Sequence, residues 1–482
     1  MGDGWKKAGL IGLGAVLGLL LSLNFSALAD RETRLPIPYE DLQLFSAVFG
    51  RIKSDYVEPV ADEKLIKEAI NGMVHGLDPH SDFLDADAYK ELQISTQGKF
   101  GGLGIEVGVE DGFIKVVSPI EDTPAFRAGV KAGDLIVKID DTATRGLPLS
   151  SAVDKMRGKP GTQITLTVAR KDVDLPLTFT LTREVINVRS VRAKVLEPGY
   201  GYLRIVQFQE RTGEDMAKAL RDLYKQGDLT GLVLDLRGDP GGLLNVSVGV
   251  AAAFLPQDAL VVYTDGRTPD ARMRLSATKS DYLRGRGDDY LKDLPASLKK
   301  VPIVVLVDGG TASASEIVAG ALQDHKRGTV MGAQTFGKGS VQTILPLGPN
   351  AGLKLTTARY YTPSGRSIQA KGIEPDVAVD DGRDSQSRLR EANLDHHLVD
   401  GKTAATIAKA DDASKQKAKT AAEKDADKAA KEAAQKEAAD PSRARLEYGS
   451  ADDFQLKQAM NQLKGLPVIA SSKSIAAQVK PQ

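Results

Sequence analysis

The sequence predicts an α/β multidomain protein, and three observations predict it. Its 482 residues exceed what one hydrophobic core usually supports, at roughly 150 residues per domain. Two short apolar runs, Val233-Leu234-Asp235-Leu236 and Ile303–Val307, are each followed by a helical stretch, Leu244–Phe254 and Ser313–His325, as in an α/β core. Ahead of them, helical periodicity over 38–95 gives way to strand alternation over 97–185. The expected order is an export segment 1–29, a helical region 30–96, a compact strand-rich module 97–185, an α/β core 186–380, and a helical or low-complexity C-terminal region 381–482.

Each part has its own physical signature. Lys6 and Lys7 precede an uncharged run from Ala8 to Ala29 that ends Ala27-Leu28-Ala29, the pattern of a cleavable secretory signal. The same run could just span a bilayer and stay as an inner-membrane anchor. Either way the rest of the chain is expected outside the cytoplasm, in a bacterial periplasm. Leu42, Leu44, Phe45, Val48, Phe49 and Ile52, then Leu65, Ile66, Ile70, Met73 and Val74, follow the spacing of helices with one buried face. Pro79 stops the helix, and His80 reads as a capping or hydrogen-bonding residue.

In the strand-rich module, Ile105, Val107 and Val109 alternate up to the turn Glu110-Asp111-Gly112, and Phe113–Val117 resumes. A short helix over Leu149–Met156 and strands near Ile164–Val168 and Leu177–Leu181 follow. Residues 265–300 are charged and read as a surface insertion or lid. Between Gly401 and Asp440 stand fifteen Ala, nine Lys and eight acidic residues, a solvated helix or linker without apolar anchors. The stretch Phe454, Leu456, Met460 and Leu463 after it is amphipathic and should dock.

Composition narrows the chemistry. Lys plus Arg and Asp plus Glu are both 64, so the net charge is zero and no nucleic-acid footprint exists. The absence of Cys excludes disulfides, thiolate metal ligands, a Cys nucleophile and a lipidated N-terminal Cys; only five His are present. The segment Asp308-Gly309-Gly310-Thr311-Ala312-Ser313-Ala314-Ser315-Glu316 joins the strongest apolar strand to a helix. There, a serine at the helix start meets unpaired N–H groups that can hold an oxyanion. A plain capping box from Ser313 to Glu316 would look the same.

A second segment, Thr335–Gln342, places Lys338 between glycines, with Ser340 and Gln342 on the same face of an extended chain. Burial would lower the lysine pKa and free a neutral amine as a general base, with uncharged Gln342 orienting it. The near phosphate loop from Gly332 to Gly339 fails, because Gly339 replaces the magnesium-binding hydroxyl and a strand follows where a helix is needed. The turn Asp235-Leu236-Arg237-Gly238-Asp239-Pro240-Gly241-Gly242 offers further N–H groups, and an ordinary tight turn would read alike.

Together these three segments, with Ala358–Gln369 (Ala-Arg-Tyr-Tyr-Thr-Pro-Ser-Gly-Arg-Ser-Ile-Gln), resemble the carboxyl-terminal processing peptidases, or tail-specific proteases, over residues 40 to about 380. The resemblance implies a Ser/Lys serine endopeptidase without metal or organic cofactor. Ser313, 25 positions before Lys338, would be the nucleophile, Lys338 the base and Gln342 its partner. The N–H of Ala314 with that of Gly241 or Gly242 would form the oxyanion hole. Asp324 and Glu316 also match family positions, with structural roles expected. Relatives often carry Asn within the Gly238-Asp239 pair.

The strand-rich module is similar to PDZ domains. Gly102-Leu103-Gly104-Ile105 matches the loop that binds a free C-terminal carboxylate, and Pro124-Ala125 and Ala128–Asp134 match as well. Arg157 is a candidate link between peptide occupancy and the active site. The implied partners are protein substrates with accessible C-termini, an envelope adaptor, and a second copy through terminal helices, with Phe454–Leu463 one candidate. Two other readings compete: a PDZ adaptor on a dead peptidase scaffold, and a His-dependent PDZ serine protease, for which no His–Asp–Ser arrangement is found.

Overall fold

The computed structural model describes residues 38–110, 112–171, 173, 175–283, 287–380, 389–400 and 448–471. The expected signal segment and the Ala/Lys-rich stretch 401–440 lie outside them. The chain forms two compact units, residues 1–70 and 71–482. In the first, α1 (Tyr39–Asp55) forms as the periodicity predicts, with Glu40 and Asp41 in its first turn and Lys53 in its last. The predicted burial of its apolar face is not found: none of its residues is buried, and Leu42, Phe45 and Val48 are about half exposed. Helix α2 (Asp62–His75) begins in this unit.

The second unit opens with β1 (Asp82–Leu84) and α3 (Ala86–Gln97), where the Asp85 side chain caps the helix and Gly98 ends it in the left-handed region. Strand β2 (Lys99–Gly102) leads into the strand-rich module: β3 (Ile105–Glu110), β4 (Phe113–Pro119), the short α4 (Pro124–Arg127), β5 (Leu135–Ile139), β6 (Thr142–Ala143), α5 (Leu149–Met156), β7 (Gln163–Ala169) and β8 (Leu177–Thr182). These strands make one sheet in the order β3-β4-β5-β7-β8, with β6 on β5, so β3 is an edge. Period-two alternation in β7 buries Ile164, Leu166 and Val168 against Ile114, Ile136 and Ala152. Strand β9 (Glu184–Asn187) pairs back onto β2.

The core follows. Its elements are β10 (Val191–Glu197), β11 (Tyr200–Ile205), α6 (Thr212–Tyr224), β12 (Gly231–Asp235), α7 (Leu244–Phe254), β13 (Leu260–Gly266), β14 (Arg274–Ser276), α8 (Lys279–Leu283), β15 (Ile303–Val307), α9 (Ala314–Asp324), β16 (Thr329–Gly332), β17 (Ser340–Pro346), β18 (Gly352–Tyr361) and β19 (Val377–Ala378). A six-stranded sheet runs β10-β11-β12-β15-β16-β19, parallel from β11 onward. The continuous apolar runs reflect burial on both faces. Leu232, Leu234, Val305 and Val307 join the core formed with α6, α7 and α9, whereas Val233, Val304 and Leu306 face the opposite side.

A second sheet, β1-β18-β13-β14 with β17 on β18, lies beside this core. Residues 265–300 are therefore no lid: β14 belongs to this sheet, and Tyr282 and Leu298 are buried in the core that includes α7.

Helix α10 (Phe454–Leu463) covers the opposite face of the six-stranded sheet, burying Leu456, Ala459 and Met460 on Val233, Val304, Leu306 and Met331. Its apolar face is thus occupied by its own chain. Polar contacts fix it as well. Asp453, its N-cap, accepts from Arg237 Nη1 at 2.9 Å and Nη2 at 2.6 Å, and Gln455 Oε1 accepts from Arg237 Nη1 at 3.0 Å. Arg237 also donates to Asp235, and the guanidinium is fully buried. Breaking a buried pair strands the remaining charge, so Asp453→Ala should destabilise the core by about 3–5 kcal/mol. Urea unfolding beside the parent protein measures this.

Candidate active site

Two strand ends and one helix start build the site. Beyond β15, Asp308 Oδ1 accepts the N–H groups of Gly238 at 2.8 Å and Gly310 at 2.9 Å. Thr311 donates through its hydroxyl to the Leu236 carbonyl at 2.8 Å. The loops after β12 and β15 are therefore one hydrogen-bonded body. Ala312 N–H then donates to the Asp239 carbonyl at 2.9 Å, and the chain turns into α9 at Ser313. Ser313 has φ 58° and ψ −116°, a conformation that L residues avoid and that the surrounding bonds must hold. Its side chain lies within hydrogen-bonding reach of the buried Tyr360 phenol.

Glu316, one turn into α9, is completely buried and accepts four hydrogen bonds. Its Oε2 takes the N–H of Ser313 at 2.8 Å and that of Lys338 at 2.9 Å. Its Oε1 takes the Gly337 N–H at 2.8 Å and the Thr335 hydroxyl at 2.5 Å. One carboxylate oxygen therefore holds the backbones of Ser313 and Lys338 together, the Glu316 half of the predicted capping box extended to a second loop. Burial pushes its carboxyl up to about 7, against the pull of these donors. Tyr360, on β18, adds a second link by donating to the Lys338 carbonyl.

Lys338 lies in the loop before β17, outside the strand. Burial lowers its pKa to about 8, assisted by the like charge of Lys354 and opposed by Glu391, Glu316 and Asp78. Its ammonium has no ion-pair or hydrogen-bond partner among the described residues. Gln342 donates through Nε2 to Ser340 Oγ at 3.0 Å and Thr356 Oγ1 at 3.2 Å, so no bond from that nitrogen to Lys338 is seen. A β-bulge between Val341 and Gln342 resets the register there.

The glycine pair is resolved by geometry. Gly241 N–H is occupied by Asp239 Oδ1 at 2.8 Å, whereas Gly242 N–H and Ala314 N–H have no acceptor among the described residues. Gly241 has φ 94°, and a Cβ on it would stand 2.6 Å from the Ala312 carbonyl oxygen and 2.7 Å from Ala314 N. Only glycine lets this turn reach the serine.

Several contributors were not legible as site residues. His80 meets Glu391 at 2.7 Å, Glu391 accepts from Gln369 at 2.8 Å, and Gln369 accepts the Gly339 N–H at 3.0 Å. Asp78 accepts from Ser81 and Thr356, the residue that also receives Gln342. Two distant segments thereby enclose the Lys338 loop. Tyr360 stood within the Ala358–Gln369 run, whose resemblance to the family was its only signal. Asp324 is structural, accepting the Ser364 N–H at 2.8 Å and pairing with Arg366. No histidine hydrogen-bonds Ser313 among the described residues; His325 faces the Leu260 carbonyl at 2.7 Å.

In the strand-rich module, Gly104 has φ 76°, and a Cβ there would lie 2.2 Å from the Thr123 side chain. The Leu103 and Gly104 carbonyls accept from Ala125 and Ile120, while their N–H groups have no acceptor among the described residues. The loop opens onto the edge strand β3, where Ile105 and Val107 pack on the module's core. Arg157, at the end of α5, pairs with Glu91 of α3 and lies 5.1 Å over the Phe100 ring.

The strained serine turn and the buried lysine lie within the region that the comparisons match to a peptidase family, and the glycine loop within the region they match to a PDZ domain. Residues 199–379 match peptidase family S41, residues 101–181 a PDZ domain, and residues 14–88 the activating protease CtpB N-terminal domain. A carboxy-terminal-processing protease of Bartonella bacilliformis is 49% identical over 370 residues, covering 76% of this chain and 81% of that one. The carboxy-terminal processing protease CtpB of Bacillus subtilis is 38% identical over 332 residues, covering 68% and 65%. A solved photosystem II D1 C-terminal processing protease is 32% identical, with TM-score 0.40, and covers 70% of this chain and 86% of that one. The chain belongs to the PDZ-containing C-terminal processing serine proteases of peptidase family S41.

Removing the Glu316 carboxylate would leave three N–H groups and a hydroxyl buried without an acceptor. Glu316→Ala should therefore cost about 3 kcal/mol or more in the urea unfolding of the core.

Proposed function

We propose that this protein is an endopeptidase of the bacterial envelope in which Ser313 is the nucleophile and Lys338 its general base. The observation that carries the reading is the single Glu316 oxygen shared by the Ser313 and Lys338 amides, which brings a half-buried, unpaired lysine beside a strained serine. Neutral Lys338 takes the Ser313 proton as Oγ attacks the scissile carbonyl. The N–H groups of Ala314 and Gly242 receive the oxyanion, since that of Gly241 is held by Asp239. The protonated lysine then gives its proton to the leaving amine, and water, deprotonated by the same amine, releases the acyl group. Gln342, held through its nitrogen, presents its carbonyl oxygen as the group that orients the amine.

Substrate selection falls to the PDZ domain. The free N–H groups of Leu103 and Gly104, with the Gly102–Ile105 loop around them, suit a terminal carboxylate. The β3 edge suits a peptide added as a further strand. Arg157, tied to α3 by Glu91, is placed to transmit that occupancy to the core. The basic, apolar and A-x-A pattern of the first 29 residues supports export.

Ser313→Ala and Lys338→Ala should each lower kcat/KM on an unfolded polypeptide by roughly 10³-fold or more. On the acidic side of neutrality the parent's kcat/KM should rise with pH as the fraction of neutral Lys338, its pKa lowered to about 8, increases. Cleavage by Ser313→Ala at the parent's rate would refute the assignment, and an inert parent would favour the adaptor with a dead peptidase scaffold. Separately, amidating a peptide's C-terminus should weaken its binding to the full-length Ser313→Ala protein by roughly tenfold, as loss of a charge-assisted carboxylate site would. Titration of free and amidated peptides measures it.

A further inference from the structure

Asp239 is a buried acid that the acyl-transfer scheme leaves unused. It stands between the two loops that make the site: its main-chain carbonyl accepts from the Ala312 N–H at 2.9 Å and the Ser315 hydroxyl at 3.1 Å. Its side chain is completely buried. Oδ1 accepts the Gly241 N–H at 2.8 Å, the Ser315 hydroxyl also favours the ionised carboxyl, and Oδ2 is buried with no hydrogen-bond partner among the described residues. A carboxylate with one oxygen orphaned is expensive in a protein interior, and a protonated carboxyl is not.

The charges around it do not reverse that preference. Arg204 of β11 favours ionisation and Asp235 of β12 opposes it. Arg237 is held by Asp235, Asp453 and Gln455; Asp308 holds the Gly238 and Gly310 amides and the Tyr448 hydroxyl. Glu316, in the first turn of α9, is ringed by its four donors. Burial dominates and pushes the Asp239 carboxyl up to about 7.

Position gives this proton a consequence. The carboxyl lies directly behind the Gly241 amide, and a Cβ on Gly241 would touch Ala314 N at 2.7 Å and Ser313 Cβ at 2.8 Å. A charge on Asp239 therefore appears next to the two amides that would receive the oxyanion. We propose that Asp239 is a positioning residue that must keep its proton for the oxyanion site to work: neutral, it fixes the Gly241–Gly242 turn; ionised, it opposes the negative charge formed there. This rests on the Ser313/Lys338 reading of the site. The active form then needs a neutral Lys338 and a protonated Asp239 together, so activity is confined to a narrow bell around neutral pH.

The test uses the full chain, its Asp239→Asn variant, and both again in a Ser313→Ala background. Asn keeps the oxygen that receives Gly241 N–H and cannot ionise. The kcat/KM of Asp239→Asn on an unfolded polypeptide should lack the alkaline limb and exceed the parent's about tenfold or more at pH 9, with little difference at pH 6. A second readout does not depend on turnover. The folded carboxyl sits above its unfolded value of 3.8, so the unfolded chain loses this proton first and Asp239 lowers stability progressively from about pH 4 to pH 7.

In the inert Ser313→Ala background, the stability gained by Asp239→Asn should therefore grow from about pH 4 to pH 7 and level off above it. Superimposable pH–rate profiles overturn the proposal, as does a stability difference that does not change with pH. Cleavage that survives Ser313→Ala refutes the Ser/Lys reading, which is a separate result. With it falls the oxyanion role of Asp239, whatever the stability arm shows about its proton.

Discussion

The Glu316 carboxylate is the interaction on which the rest of the site depends. A buried charge must be surrounded by donors, and the four that surround this one come from two loops far apart in sequence. Meeting that requirement brings the serine turn and the lysine loop together, with the Ser313 hydroxyl against the Tyr360 phenol and the Lys338 amine without a hydrogen-bond partner among the described residues. The strain at Ser313 persists because Ala312 and Glu316 fix the backbone on either side of it. A residue that first reads as part of a helix cap thus fastens the Ser313 turn to the Lys338 loop.

A second buried charge does comparable work from the far end of the chain. Arg237 belongs to the turn that carries Gly241 and Gly242, yet its partners Asp453 and Gln455 lie 216 and 218 residues away. Tyr448 stacks between Arg204 and Arg237, with ring-to-guanidinium distances of 4.3 and 4.5 Å, and reaches Asp308 with its hydroxyl. The segment after the Ala/Lys-rich stretch consequently buttresses the loops of the site from behind. The opposite side of the Lys338 loop is enclosed by Asp78, Ser81 and His80 on one segment and Glu391 on another. Order at these loops is therefore shared between the core and both of its flanks.

The alternation in β7, the buried runs of β12 and β15, and α10 were legible because each is a local pattern with a fixed period. Ser313, Lys338 and the glycine turn were legible because their chemistry needs particular residue types at close spacing. The reading of residues 265–300 as a lid failed because charge and glycine mark exposure and say nothing of pairing: β14 uses its backbone to join a sheet whatever its side chains. The helix α1 formed as expected, but periodicity identifies an apolar face without identifying what covers it.

By itself, the sequence determined the order of the domains, the family, and the residue types available for acyl transfer, since these follow from composition, period and motif. Only the tertiary structure decided which glycine amide stays free, where Lys338 stands relative to its strand, and that His80 meets Glu391 across 311 residues. The reason is physical. A hydrogen bond between distant residues leaves no periodic trace in either segment, and a pKa depends on burial and neighbours that exist only once the chain has folded. Asp239 makes the point most sharply: in sequence it is an ordinary turn residue, and in the fold it is a buried acid behind the Gly241–Gly242 turn, with one oxygen unpartnered among the described residues.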